Sequence, residues 1–150
     1  MRSPSQSKVC FFFDGVSPNL QNRADLKKFI ESLFKKEGKK LGSLNYIFCT
    51  DKRLLDINRQ YLNHDYYTDI ITFDLSDHGT QIIGEVYISL DRVRDNARKE
   101  GVSIKSELHR VIFHGALHLC GYGDKSKTQT AVMRAREDFF LNLFLKSRFT

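Results

Sequence analysis

Cysteine is scarce in this 150-residue chain: Cys10, Cys49 and Cys120 are odd in number and show no C-x-x-C spacing. That excludes a disulfide framework and predicts a reducing, cytoplasmic setting. Long apolar runs are missing too. The opening MRSPSQSK is followed only by VCFFF, far too short for a secretory core or a membrane span, so no membrane is expected. Low-complexity linkers and internal repeats are also absent, which predicts one domain over residues 1–150. A chain of this length buries about 68–70% of its unfolded surface, enough for a real core.

What the chain does have is positive charge. Lys and Arg number 24 against 18 Asp and Glu, a net charge of +6, with a pI near 9.3. A basic balance favours nucleic acid or other anionic partners by simple electrostatics. The densest group is Lys27, Lys28, Lys35, Lys36, Lys39 and Lys40, on and after one helix. Those six lysines could follow a phosphate backbone or serve only as a solvated face.

The apolar pattern alternates between strand and helix. Lys8 to Phe13 reads as a short aromatic strand ended by Asp14-Gly15. Leu26, Phe29, Ile30, Leu33 and Phe34 fit the i, i+3, i+4, i+7, i+8 spacing of an amphipathic helix. Leu44 to Cys49 is a second strand, and Asp51 to Leu62 a helix with Leu54, Ile57 and Tyr61 on one side. Asp69 to Leu75 and Ile82 to Ser89 are strands joined as a hairpin through Ser76, Asp77, His78 and Gly79. Ser89 caps the next helix, which runs to Glu100 and stops at Gly101. Ser103 caps another, and Thr128 to Lys146 is a last helix that would bury Val132, Ala135, Phe139 and Leu143. This mixed order predicts an α+β fold, a small mixed sheet packed against helices.

Chemistry concentrates in Phe113 to Lys125, FHGALHLCGYGDK. His114 and His118 are four residues apart, so on a helix both imidazoles share a face. Gly121 and Gly123 can end that helix and turn the chain back, which brings Asp124 within reach of both rings. Two imidazole nitrogens and one carboxylate oxygen leave a fourth position for water, as in catalytic rather than structural zinc sites. The surrounding Leu108, Val111, Ile112, Phe113, Ala116, Leu117 and Leu119 make the helix apolar nearly all round. Buried imidazoles need partners, and a metal would satisfy both. Gly115, unfavourable in mid-helix, signals a close approach there. Cys120 reads as packing. His64 and His78 fall in turns, and His109 on the outer part of its helix.

HGALHLCGYGD resembles the signature of the YbeY family of bacterial metal-dependent endoribonucleases. So do NRQYLNHDYYTDIITF, Asn58 to Phe73, and IIGEVYISLDR, Ile82 to Arg92, in the family's order. The resemblance implies a zincin-like metal helix followed by a glycine turn, with substrate lying in the groove between sheet and helix. It implies one Zn2+ per chain held by His114, His118 and Asp124, where Asp124 replaces the family's usual third His. Leu62 stands where the family typically carries an Arg, and Arg59, three residues earlier on the same helix face, is expected to supply that charge.

The function implied by the resemblance is that of a single-strand-type zinc-dependent endoribonuclease. Its substrate would be ribosomal RNA of the small subunit, matured at the 16S 3′ end, with a role in ribosome quality control. No residue is spaced so as to be named the general base; Asp69, Asp74, Glu85 and Glu137 are candidates for that role or for supporting the ligands. Tyr66 and Tyr67 could stack RNA bases, although their place beside a strand favours packing. Two alternatives stand beside this reading. One is a ribosome-associated RNA-binding factor whose metal is structural. The other, a zinc metallopeptidase, lacks the Glu that H-E-x-x-H places after the first His, since that position is Gly115.

Overall fold

A computed structural model of the protein describes residues 7–77 and 79–147. Among them run β1 (Val9–Phe13), α1 (Arg23–Lys36), β2 (Leu41–Cys49), α2 (Asp51–Leu62), β3 (Ile70–Asp74), β4 (Ile82–Ser89), α3 (Leu90–Glu100), α4 (Ile104–Leu119) and α5 (Lys127–Ser147). The sheet order is β1-β2-β4-β3. The β1–β2 and β2–β4 pairs are parallel, while β3 runs antiparallel to β4 along one edge. The architecture is therefore the expected α+β one.

Alternation along β4 explains how the sheet takes helices on both faces. Gly84, Val86 and Ile88 turn toward the main core with α1, α4 and α5. Tyr87 turns the other way, against the smaller cluster of Leu54, Ile57 and Ile71 beneath α2. Two glycines let α4 lie unusually close to the sheet. A Cβ on Gly115 would stand 2.9 Å from Val86 Cγ1 and 3.1 Å from Ile70 Cδ1, and one on Gly84 only 2.6 Å from Leu119 Cδ1. Tyr46, buried in β2, donates its hydroxyl to the Ile112 carbonyl at 2.8 Å and ties the two layers together. Side chains of Thr50, Ser89 and Ser103 accept from the backbone N–H three residues on, starting α2, α3 and α4.

Several expectations need correction. Strand β2 begins at Leu41, three residues earlier than Leu44, because the chain from Leu41 already pairs with β4. The buried face of α5 is Met133, Glu137, Phe140, Leu141 and Phe144, while Val132, Ala135 and Phe139 face outward. Both stripes have helical spacing and lie about 100° apart, so periodicity alone does not choose between them. Tyr61 is 65% exposed and only its ring edge meets Phe73, 6.1 Å between centroids. His109 is buried rather than outward: its Nδ1 bonds the Lys105 carbonyl at 2.7 Å and its ring stacks on Phe144. Tyr66 and Tyr67 are exposed rather than packed, Tyr66 stacked on His64 and Tyr67 under the Arg92 guanidinium. The β3–β4 pair is joined through residues 75–81, within which His78 lies outside the described residues.

Candidate metal and RNA-cleavage site

The C-terminal half of α4, buried for the most part, carries the partly buried His114 and the exposed His118 on one face. Their rings are nearly parallel, 4° apart, with centroids separated by 6.4 Å. Each ring is held through Nδ1. The Nδ1–H of His114 donates to Glu137 Oε2 on α5 at 2.6 Å, and that of His118 to the Tyr122 carbonyl at 3.0 Å. An imidazole donating from Nδ1 keeps its lone pair on Nε2, so each ring has an acceptor nitrogen left for a ligand.

The glycine turn does the rest. Gly121 takes a left-handed φ of 110° as the chain leaves the helix. Gly123 matters for room instead, since a Cβ there would meet Gln129 Oε1 at 2.8 Å. Tyr122 between them is anchored by its hydroxyl, which donates to Glu37 Oε1 at 2.7 Å, and Glu37 is in turn gripped by Arg136. Thr130 Oγ1 donates to the Asp124 carbonyl at 3.2 Å. The loop thus returns Asp124, whose Oδ2 stands 3.3 Å from His114 Nε2.

Electrostatics follow from this crowding. Burial pushes His114 toward the neutral form, but the hydrogen bond and charge of Glu137, with Asp124 and Asp69 nearby, outweigh it and raise its pKa. Asp69 is raised, chiefly by burial, against the pull of His114. Cys120, at the end of α4, is pushed up to about 12 by burial, and its thiol is a packing group beside the site.

The donor set fits a zinc ion chemically: two imidazole Nε2 atoms with their Nδ1–H groups committed to oxygen acceptors, and one carboxylate oxygen beside that of His114. As the side chains stand, no group of three or more His, Cys, Asp or Glu among the described residues is close enough to hold a metal ion. Gripping one therefore requires these three to draw together.

Other candidate residues fall in different places. Asp69 lines the same hollow, of about 310 Å3, as His114, Asp124 and Glu137. Asp74 accepts from the Ser76 N–H at the hairpin, and Glu85 accepts from the Tyr87 hydroxyl on the α2 face, so neither joins the histidines. Arg59 sits on the exposed side of α2 and pairs with Asp65. Gly115 does not open space beside the site: Val86 and Ile70 pack into the room a side chain would need.

Residues the motif did not announce are Glu107 and Arg110. Arg110 donates to Glu137 at 3.0 Å and to Asp138 at 2.7 Å, and so steadies the carboxylate that holds His114. Glu107, Arg110 and His114 are spaced i, i+3, i+7, one face of α4, and that polar stripe on an otherwise apolar helix was a readable signal.

Residues 16–144 match the family model described as Endoribonuclease YbeY. The chain is 46% identical over 138 residues to the Endoribonuclease YbeY of Cytophaga hutchinsonii, covering 92% of this chain and 96% of that one. It is 53% identical over 106 residues to the protein of the same name from Phocaeicola vulgatus, covering 71% and 76%. The solution structure of a Thermotoga maritima protein superposes with a TM-score of 0.65 at 24% identity, covering 93% of this chain and 90% of that chain, a likeness of fold.

Proposed function

The chain belongs to the YbeY endoribonuclease family, and from that premise we propose that it is a zinc-dependent endoribonuclease that cuts single-stranded stretches of ribosomal RNA. On this reading His114, His118 and Asp124 hold the ion, the RNA is that of the small ribosomal subunit at its 16S 3′ end, and the activity serves ribosome quality control in the cytoplasm. The single observation that carries the metal site is the matched anchoring of the two rings: each commits Nδ1 to an oxygen and leaves Nε2 for a ligand.

Zinc in such a site supplies Lewis acidity, both stabilising charge on a phosphoryl oxygen and easing deprotonation of water. The protein's own residues orient and tune. Glu137 fixes the His114 tautomer and raises the ring's basicity, and Arg110 keeps Glu137 in place. The Tyr122 carbonyl fixes the His118 tautomer, and the Glu37–Arg136 pair keeps Tyr122 from swinging out. Asp124 in place of a third imidazole makes the ion's surroundings one charge more negative, so water there is acidified less than in an all-His site.

Arg59 on α2 is proposed to meet the RNA backbone in place of the Arg missing at Leu62; its partner Asp65 is exposed, so a phosphate can compete for the guanidinium. The peptidase reading is weaker, because position 115, where such enzymes carry their base, has neither a side chain nor room for one.

The test is zinc content and ribosomal RNA cleavage for wild type, His114→Ala and Asp124→Ala. Both variants should lose bound zinc and cleavage together while still binding RNA. Cleavage that persists in the metal-free protein would refute the reading. RNA binding without cleavage in all three proteins would make the chain a ribosome-associated binding factor instead.

A further inference from the structure

The hollow beside His114 has an inner end that the zinc site does not use. It is walled by β3, α3, α4 and α5, and five carboxylates line it: Asp69, Glu100, Glu107, Asp124 and Glu137. Only two guanidiniums, Arg110 and Arg134, oppose them. Arg110 is spent on Glu137 and Asp138, and Arg134 reaches Glu100 and Glu137 only at 3.9 and 4.0 Å. Glu107 is the least satisfied. It is 5% exposed, and although its carboxyl hydrogen-bonds with that of Glu100, its Oε1 has no hydrogen-bond partner among the described residues. Asp69 receives a single long hydrogen bond from another side chain, from Asn96 Nδ2 at 3.3 Å.

A buried carboxylate oxygen with no donor costs several kcal/mol unless something pairs with it. We propose that the inner end of this hollow binds a second, hydrated divalent cation of the hard class, Mg2+ or Mn2+, through Asp69 and Glu107. The ligand class follows from the walls. They are oxygen-rich, with Ile70 and Val111 as the large apolar residues and no Phe, Tyr or Trp among the lining residues. No three acidic or imidazole groups among the described residues converge on one point, which disfavours a dehydrated, fully caged ion. Magnesium does not need such a cage, because it keeps several waters and takes one or two carboxylates together with substrate phosphates.

On the RNA-cleaving reading, such a cation also answers an electrostatic difficulty. A phosphodiester approaching His114 meets five carboxylates, and a divalent ion at the inner end turns that repulsion into a clamp on the phosphate. Glu107, pushed up to about 7 by burial and by the charge and hydrogen bond of Glu100, holds a proton that the cation would displace.

The test needs no RNA, so it stands apart from the fate of the nuclease reading. Zinc-saturated full-length protein, with Glu107→Gln and Asp69→Asn beside it, is titrated with Mn2+ and followed by broadening of backbone amide signals in NMR. Wild type should show saturable broadening centred on Asp69, Asn96 and Glu107. Each variant should bind about tenfold or more weakly, and the zinc content of Glu107→Gln should be unchanged. Glu107→Gln is nearly isosteric and stays neutral at every pH, and its dispersed amide spectrum reports that it is folded. Broadening confined to His118 and Tyr122, or unaltered affinity in either variant, would overturn the proposal.

Discussion

Glu137 shows most clearly how one side chain on a distant helix governs the candidate site. It is buried, accepts from His114 Nδ1 at 2.6 Å, and is itself held by Arg110 at 3.0 Å. Removing an outer partner of a metal-binding His commonly lowers metal affinity or activity about 10–100-fold. Glu137→Ala should fall in that range for both zinc affinity and RNA cleavage, and Glu137→Gln, which keeps an acceptor oxygen, should recover part of the loss. Equal activity in wild type and Glu137→Ala would remove Glu137 from the machinery. Glu107 makes a separate statement about pH. Burial raises the folded pKa of its carboxyl from 4.5 to about 7, helped by the charge and hydrogen bond of Glu100 and the charge of Asp69, and opposed by Arg110. The folded state therefore holds the proton more tightly than the unfolded one. That stabilisation is fully present below about pH 4.5 and is lost as pH rises through 7. Because the hollow admits solvent, the loss is on the order of 1–2 kcal/mol. Denaturant titrations of the magnesium-free protein from pH 4.5 to 8 should show that decline in wild type and its absence in Glu107→Gln; identical profiles would contradict it.

At the scale of elements, the close seating of α4 on β4 sets where the histidines stand. Gly115→Ala gains helix propensity but drives a methyl into Val86, whose branched side chain has few rotamers to escape into. Overpacking of that kind costs about 1–3 kcal/mol, so a net loss of about 1–2 kcal/mol is expected in urea unfolding. A neutral result would mean that the helix has slack against the sheet. These elements were largely readable in the sequence because their signals are local. Ser89 and Ser103 announced the starts of α3 and α4, Gly101 and Gly121 their ends, and β3 and β4 followed one another across a short polar turn. Gly115 announced a close approach, but not what would fill it. The face of α5 was not readable, because Phe139 and Phe140 belong to two equally apolar stripes. The choice between them is made by tertiary contacts, with Phe29, Phe113 and His109 gathering around Phe140 and Phe144. His109 was misplaced for a related reason: its partner is the Lys105 carbonyl one turn back, and no side-chain pattern reports a backbone acceptor.

For the whole molecule, the candidate site is an assembly of parts far apart in the chain. Glu37 after α1 anchors Tyr122, Asp69 before β3 lines the hollow, and Glu137 on α5 orients His114. The segment Phe113 to Lys125 named three of the side chains on its own, because i, i+4 spacing and a glycine return are short-range geometry. Glu37 and Arg136, 99 residues apart in sequence, carry no pattern that links them before the chain folds. The lysines of α1 are not among the residues that line the acidic hollow, so the strongest basic group and the histidines occupy different parts of the surface. The central claim is that His114, His118 and Asp124 together grip one zinc ion. Anomalous diffraction at the zinc edge, from crystals of the full chain grown with zinc, tests it most directly. The account predicts a single strong peak within bonding distance of both Nε2 atoms and an Asp124 oxygen. A map with no peak there, and Asp124 turned away from the histidines, would contradict it.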